Sequence, residues 1–207
     1  MTIGIIGSGK IGGTLARLFA RAGEEVAIAN SRGPETLDDL VADLGVKARA
    51  VTVEEAVALG DVVFLAIPWR RREELPEGER FAGKVVVDAM NPYGAGGVID
   101  VEPSTSSEEV AKLMPMARLV KAFNTIYYGR LAENGRPGAP LEEREVIFLA
   151  GDDEEARHVV SGLIEELGFA PYDTGSLAEG GRRQQPGSPI YNVRLTLTEV
   201  ARRLPAA

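Results

Sequence analysis

The stretch that decides the fold is Ile3-Gly4-Ile5-Ile6-Gly7-Ser8-Gly9-Lys10-Ile11-Gly12. The apolar run Ile3 to Gly7 reads as a buried strand. The segment Ile11 to Ala22 then sets Ile11, Leu15, Leu18, Phe19 and Ala22 on one helical face. Between them lies G-x-G-x-x-G, built on Gly7, Gly9 and Gly12, and in a strand–turn–helix setting this is a dinucleotide-binding turn. Gly7 permits the tight turn, Gly9 lets the backbone approach a pyrophosphate, and Gly12 lets the helix lie against the strand. The phosphate charge then meets free N–H groups and the positive end of the helix dipole. Gly4-x-x-x-x-Gly9-Lys10 imitates a triphosphate-binding loop. That reading fails, because Ile11 stands where a magnesium-binding hydroxyl is needed and Gly4 lies within the strand.

Outward from this turn, short apolar runs alternate with helical segments. Strands are expected at Glu25 to Asn30, Ala48 to Val51, Asp61 to Ile67, Lys84 to Asp88 and Arg118 to Phe123, with a second helix from Pro34 to Leu44. Continuous rather than alternating hydrophobicity means that helices cover both sheet faces, which implies an α/β fold with a doubly wound parallel sheet. Beyond residue 123 a strand from Glu145 to Gly151 precedes a helix whose cap is expected at Asp152, with Glu155 in capping-box spacing. Its stripe is Ala156, Val159, Val160, Leu163, Ile164 and Leu167, ending at Gly168. Ala170 to Thr174 reads as a last strand, and a terminal helix is expected to bury Ile190, Val193, Leu197, Val200, Ala201 and Leu204. Residues 1–123 are therefore expected to form the nucleotide-binding domain. Residues 124–207 read as a small C-terminal α/β lobe packed on the sheet, carrying acceptor and oligomer contacts. Three Gly/Pro-rich loops, 89–107, 124–144 and 175–188, each follow a strand, where an open parallel sheet gathers its ligand crevice.

The end of the second strand selects the cofactor. It reads Asn30-Ser31-Arg32-Gly33, with no carboxylate to hold a free ribose hydroxyl. Arg32 can instead pair with a 2′-phosphate, and Ser31 adds a hydroxyl donor, so NADP(H) is expected. Ile67-Pro68 is placed to line the dinucleotide, and Trp69 is either part of that lining or a half-buried anchor. Arg70-Arg71-Arg72 reads as phosphate contacts or as a solvated face and receives no role. Asn91 and Asn124, each just past a strand, put carboxamides on the crevice rim, where they orient a nicotinamide or ring carbonyl or simply make turns. Lys121 is either a catalytic amine with a depressed pKa or an edge lysine reaching outward. His158 falls off the apolar stripe and is expected to be exposed.

Composition narrows the chemistry. The chain has 207 residues, 44% hydrophobic and 26% charged, which suits a globular protein with a substantial core. A net charge of −8 argues against a protein that coats nucleic acid. Zero cysteines and one histidine exclude disulfides, thiolate metal sites and multi-histidine metal centres, so no metal is expected. No run of about 18 apolar residues is present, so no membrane span is expected. The start Met1-Thr2-Ile3-Gly4 has no basic segment ahead of an apolar one, and a cytoplasmic location is expected. None of Tyr93, Tyr127, Tyr128, Tyr172 and Tyr191 has a lysine four positions later, so the tyrosine–lysine pair of many alcohol dehydrogenases is missing. Reducing a carbonyl requires a proton donor, whereas transfer to a flavin-like ring requires alignment above all. This favours transfer between two cofactors; Tyr127 and Tyr128 are the candidate donors for the other case.

Gly7-Ser8-Gly9-Lys10-Ile11-Gly12, Asn30-Ser31-Arg32, Ala66-Ile67-Pro68-Trp69, Asp88-Ala89-Met90-Asn91-Pro92 and Lys121-Ala122-Phe123-Asn124-Thr125, with the later Gly151-Asp152-Asp153, resemble a known family. It is that of the NADPH-dependent reductases of the deazaflavin coenzyme F-420, related to the cytosolic oxidoreductase domains of metalloreductases. The resemblance implies that Ser8, Lys10 and Ile11 help hold pyrophosphate, that Ser31 and Arg32 hold the 2′-phosphate, and that Pro68 shapes the nicotinamide site. It further implies hydride transfer to a deazaflavin or a flavin co-substrate, and a homo-oligomer. Gly175 to Asn192 is the candidate acceptor loop, its arginines suited to an acidic tail.

Overall fold

The computed structural model describes residues 1–203. The chain begins with β1 (Thr2–Ile6), α1 (Lys10–Ala22) and β2 (Glu25–Ala29). The helix expected from Pro34 is divided into a 3-10 turn, Pro34–Leu37, and α2 (Asp38–Leu44). Then come β3 (Ala48–Ala50), α3 (Val53–Leu59), β4 (Val62–Leu65), β5 (Val85–Asp88), the hairpin β6 (Tyr93–Gly94) and β7 (Gly97–Val98), α4 (Ser106–Leu113) and β8 (Arg118–Ala122). The remainder is α5 (Tyr128–Glu133), β9 (Val146–Gly151), α6 (Glu154–Glu166), β10 (Ala170–Asp173), α7 (Glu179–Arg183) and α8 (Leu197–Arg203).

Eight strands form one sheet in the order β10-β9-β8-β5-β4-β1-β2-β3. From β3 to β8 all neighbours are parallel, the doubly wound arrangement whose order reverses beside β1. The pleat sends Ile3, Ile5 and Phe64 to a core under α1 and α6, while Ile6, Val63 and Leu65 face a second core under α3 and α4. This two-sided burial is why the strands read as unbroken apolar runs.

The sheet is mostly rather than wholly parallel. β9 runs antiparallel to β8, and β10 is parallel to β9. A parallel strand after β8 would need a helix long enough to cross back over the sheet. α5 has only 6 residues, so β9 starts where β8 ends and returns beside it. The 13-residue α6 then supplies the crossover to β10.

Several local expectations are corrected. α3 and α4 were not anticipated, although Thr52 with Glu55 and Thr105 with Glu108 are complete capping boxes. The three long loops carry the β6–β7 hairpin, α5 and α7. The cap of α6 is Asp153, whose side chain accepts from the Ala156 N–H; Asp152 accepts instead from the Leu177 N–H at 2.9 Å. Ala22 is exposed because α1 ends there, turned off by Gly23. The terminal helix starts only at Leu197, so Ile190 and Val193 pack from the preceding turn, Ala201 is exposed, and Leu204 lies outside the described residues.

Candidate functional site

The glycine loop leaves β1 at the point of order reversal. Gly7 adopts φ 113°, and a Cβ there would run into the Ala66 carbonyl. A Cβ at Gly12 would collide with the Gly7 carbonyl, so this glycine sets the closeness of α1 to the strand. Gly9 differs: a Cβ on it would meet nothing within 4 Å. The protein's own packing therefore demands glycine at 7 and 12 but not at 9, where the open cradle suits a close-approaching ligand. α1 begins over this cradle with no side-chain cap and no acidic residue in its first turn, leaving N–H groups and dipole to an anion.

On one side of the loop lies a first cleft, which brings together Gly7, Ser8, Gly9, Asn30, Ser31 and Arg32 with Ile67 and Pro68. Asn30 ties its parts together: Nδ2 donates to Thr36 Oγ1 at 2.9 Å and Ser8 Oγ at 3.3 Å, and Oδ1 accepts from the Arg32 N–H at 2.8 Å. Among the described residues the Arg32 guanidinium has no hydrogen-bond or ion-pair partner. Arg71, Glu74, Val53 and Leu75 complete the cleft and were not anticipated; the arginine run 70–72 was the visible signal for the first. Trp69, by contrast, is an anchor. It is 4% exposed, its indole N–H donates to the Ser106 carbonyl at 3.0 Å, and the Arg72 guanidinium lies 3.7 Å over its ring.

Across the loop is a second cleft, lined by Lys10, Ile11, Asn91, Asn124, Tyr127 and Tyr128 with Tyr191 and Asn192. Phe123 builds it. This buried residue holds φ 63°, rare for a bulky side chain, while its ring packs edge-on against Phe64 at 5.7 Å. The chain thereby turns sharply out of β8. Asn91 Nδ2 donates to the Asn124 carbonyl at 2.9 Å, and Asn124 Nδ2 donates to Asn91 Oδ1 at 3.1 Å and the Gln184 carbonyl at 2.9 Å. A carbonyl can only accept, so these bonds fix the amide's orientation and leave the buried Asn124 Oδ1 without a protein partner.

Tyr127 and Tyr128 pack tilted at 50° with ring centroids 4.4 Å apart, and Lys10 Nζ sits 4.6 Å from the Tyr128 centroid. The Tyr127 hydroxyl, and then the Lys10 ammonium, hold the Tyr128 hydroxyl below the usual phenol range. Tyr191 accepts a hydrogen bond from Tyr93 at 3.1 Å, and burial pushes its own pKa up.

Lys121 lines neither cleft and reaches no edge. It is fully buried, its Nζ donating to Ser106 Oγ at 3.1 Å, Ser107 Oγ at 3.0 Å and the Met90 carbonyl at 3.3 Å, with Asp88 Oδ2 at 3.6 Å. Burial pulls its pKa down. In the 175–192 segment Arg182 is ion-paired with Glu102, and Gly180 and Gly181 are buried in α7; the crevice receives Tyr191 and Asn192 from it instead. His158 is exposed on α6. Among the described residues no group of three or more His, Cys, Asp or Glu side chains is arranged to hold a metal, and no helix is long and apolar enough to cross a membrane.

Residues 2–92 match the family described as NADP oxidoreductase, coenzyme F420-dependent. This segment carries the family's domain. The matched segment contains β1 to β5 and every wall of the first cleft, whereas most of the second cleft comes from beyond it. Metalloreductase STEAP3 of Rattus norvegicus is 34% identical over 177 residues, covering 85% of this chain and 34% of the relative. Metalloreductase STEAP2 of Homo sapiens is 26% identical and is also covered over 34% of its length. The chain thus spans about a third of the length of these curated relatives. A hypothetical protein from Sinorhizobium meliloti is 37% identical, with 95% of each chain covered and a TM-score of 0.83. An imine reductase from a Pseudomonas species, 20% identical with a TM-score of 0.63 over 86% of this chain and 57% of that one, shares the fold.

Proposed function

We propose that this protein binds NADP(H) across the glycine loop and exchanges a hydride with a flat deazaflavin-type acceptor, coenzyme F-420. The observation that carries the reading is the lining of the second cleft. It offers carboxamides, aromatic rings and one ammonium, with no carboxylate and no imidazole. Such a site aligns a ring and excludes water but has little with which to shuttle protons, which suits transfer between two cofactors that hold the redox chemistry themselves. When bound, the nicotinamide supplies or takes up the hydride. The chain's own residues do the rest. Gly9 and the first turn of α1 hold pyrophosphate, Ser31 and Arg32 hold the 2′-phosphate, and Asn124 Oδ1 accepts from a ligand N–H at the far end. In this reading residues 1–123 are the nucleotide module, and 124–207 bring acceptor contacts and the surface of a homo-oligomer.

Replacing Arg32 with Ala is expected to weaken NADPH far more than NADH in a fluorescence titration; equal losses refute the cofactor assignment. Mixing protein and NADPH in a stopped-flow instrument with oxidised deazaflavin, FMN, a ferric chelate and small carbonyls ranks the acceptors. A fast deazaflavin trace is expected. Tight NADPH binding without turnover by any acceptor supports a nucleotide-sensing module instead. One observation favours a second enzymatic reading, an imine or carbonyl reductase: Tyr128, made more acidic beside Tyr127 and Lys10, is a usable proton donor. Tyr128→Phe lowers turnover strongly in that case and little in ring-to-ring transfer.

A further inference from the structure

In the arginine run 70–72, one member enters the first cleft without a role in the reading above. Arg72 stacks on Trp69, but Arg71 turns into the first cleft, where its Nη1 lies 3.3 Å from Ser31 Oγ. Its Nε reaches both Glu74 carboxylate oxygens at 2.8 Å, and Nη2 closes the same pair. Arg71 and Glu74 both line the cleft with Ser31 and Arg32, and both are substantially exposed, at 40% and 57% of the side chain. A guanidinium from the turn after β4 therefore reaches the Ser31 hydroxyl at the end of β2, in a cleft that Arg32 also lines, with Glu74 the single carboxylate of the lining.

The geometry points to Arg71 as a second ligand of the 2′-phosphate, and to Glu74 as the counter-ion that competes with that phosphate for it. The inference rests on the NADP(H) reading and deepens it. Because Ser31 Oγ accepts from Arg71, its own proton is free for the anion, so the hydroxyl and the guanidinium act together. A ribose carrying only a hydroxyl has no charge with which to draw Arg71 from Glu74, whereas a phosphate dianion does. Glu74 stays in the cleft and opposes the dianion, so the pair sets how strongly the phosphate is preferred.

The test uses adenosine 2′,5′-bisphosphate and adenosine 5′-monophosphate, which differ only in the 2′-phosphate, in titration calorimetry on the full chain. Arg71→Met is expected to weaken the bisphosphate about tenfold, the worth of one hydrogen bond to a charged group, and to leave the monophosphate unchanged. Glu74→Gln is expected to tighten the bisphosphate about threefold, in line with an exposed ion pair. Equal losses for both ligands in Arg71→Met, or none for the bisphosphate, overturn the role of Arg71; an unchanged or weakened bisphosphate in Glu74→Gln overturns that of Glu74. Arg32→Ala separates the levels. A wild-type protein blind to the 2′-phosphate brings down the NADP(H) reading and this inference with it. A preference lost in Arg32→Ala but kept in Arg71→Met brings down the inference alone.

Discussion

Gly7, Gly9 and Gly12 are the same letter in the sequence for three different reasons. Gly7 has a backbone angle that other residues resist, Gly12 has no room for a side chain, and Gly9 has room to spare. Gly12→Ala is therefore expected to cost stability, about 1–3 kcal/mol as an overpacked contact, seen in a denaturant unfolding curve. Gly9→Ala is expected to leave that curve in place while weakening NADPH about tenfold or more, because the methyl group takes the space of the pyrophosphate. At this scale Ser31 and Arg32 were legible, since charge at the end of β2 is a local property. Arg71 was not. A charge run ordinarily marks a solvated face, and only the 3-10 turn Trp69–Glu74 aims one member of this one into the cleft while the next stacks on an indole.

Elements whose signal is periodic, such as β1, α1 and α6, were readable from their apolar spacing. The short α3 and α4 were hidden behind capping boxes that a stripe-based reading passes over. The orientation of β9 had no local signal, because an apolar strand reads the same in either direction. The cap of α6 gives a pH test. Arg118, with the Ala156 N–H, holds the Asp153 carboxyl below its ordinary range. Its folded-state pKa is depressed, so its stabilisation is complete above the unfolded value of about 3.9 and is lost as pH falls through the folded one. The melting-temperature gap between wild type and Asp153→Asn is expected to be constant above about pH 5 and to shrink below about pH 4. Lys121 shows the opposite economy, a cation buried between β8, α4 and the turn after β5. Lys121→Met leaves Asp88 buried without its cation and is expected to cost about 3–5 kcal/mol in a denaturant curve. Adding Asp88→Leu is expected to recover part of it, because the stranded charge goes too.

Across the whole molecule the two halves share their core. Val120 and Phe123 belong to the same apolar cluster as Ile147, Leu149 and Ile164, and β9 covers the edge of β8. A fragment ending at residue 123 uncovers that edge and loses the part of the cluster that follows it. Expressed alone, it is expected to lack a cooperative melting transition and to associate, whereas co-expression with 124–207 restores both the transition and NADPH binding. The second cleft needs the same union: Asn91 and Asn124 leave neighbouring strands, Gln184 pins the Asn124 amide, and Tyr191 arrives from the far end of the chain.

By itself the sequence determined the glycine turn, the covered parallel strands and the cationic end of β2, because each is written within a dozen contiguous residues as spacing, apolarity or sign. The tertiary structure alone decided the reversal of β9, the burial of Lys121, the entry of Arg71 into the cleft and the unpartnered oxygen of Asn124. Each of these depends on which distant groups compete for the same donors, acceptors and space, and that competition exists only once the chain has closed on itself.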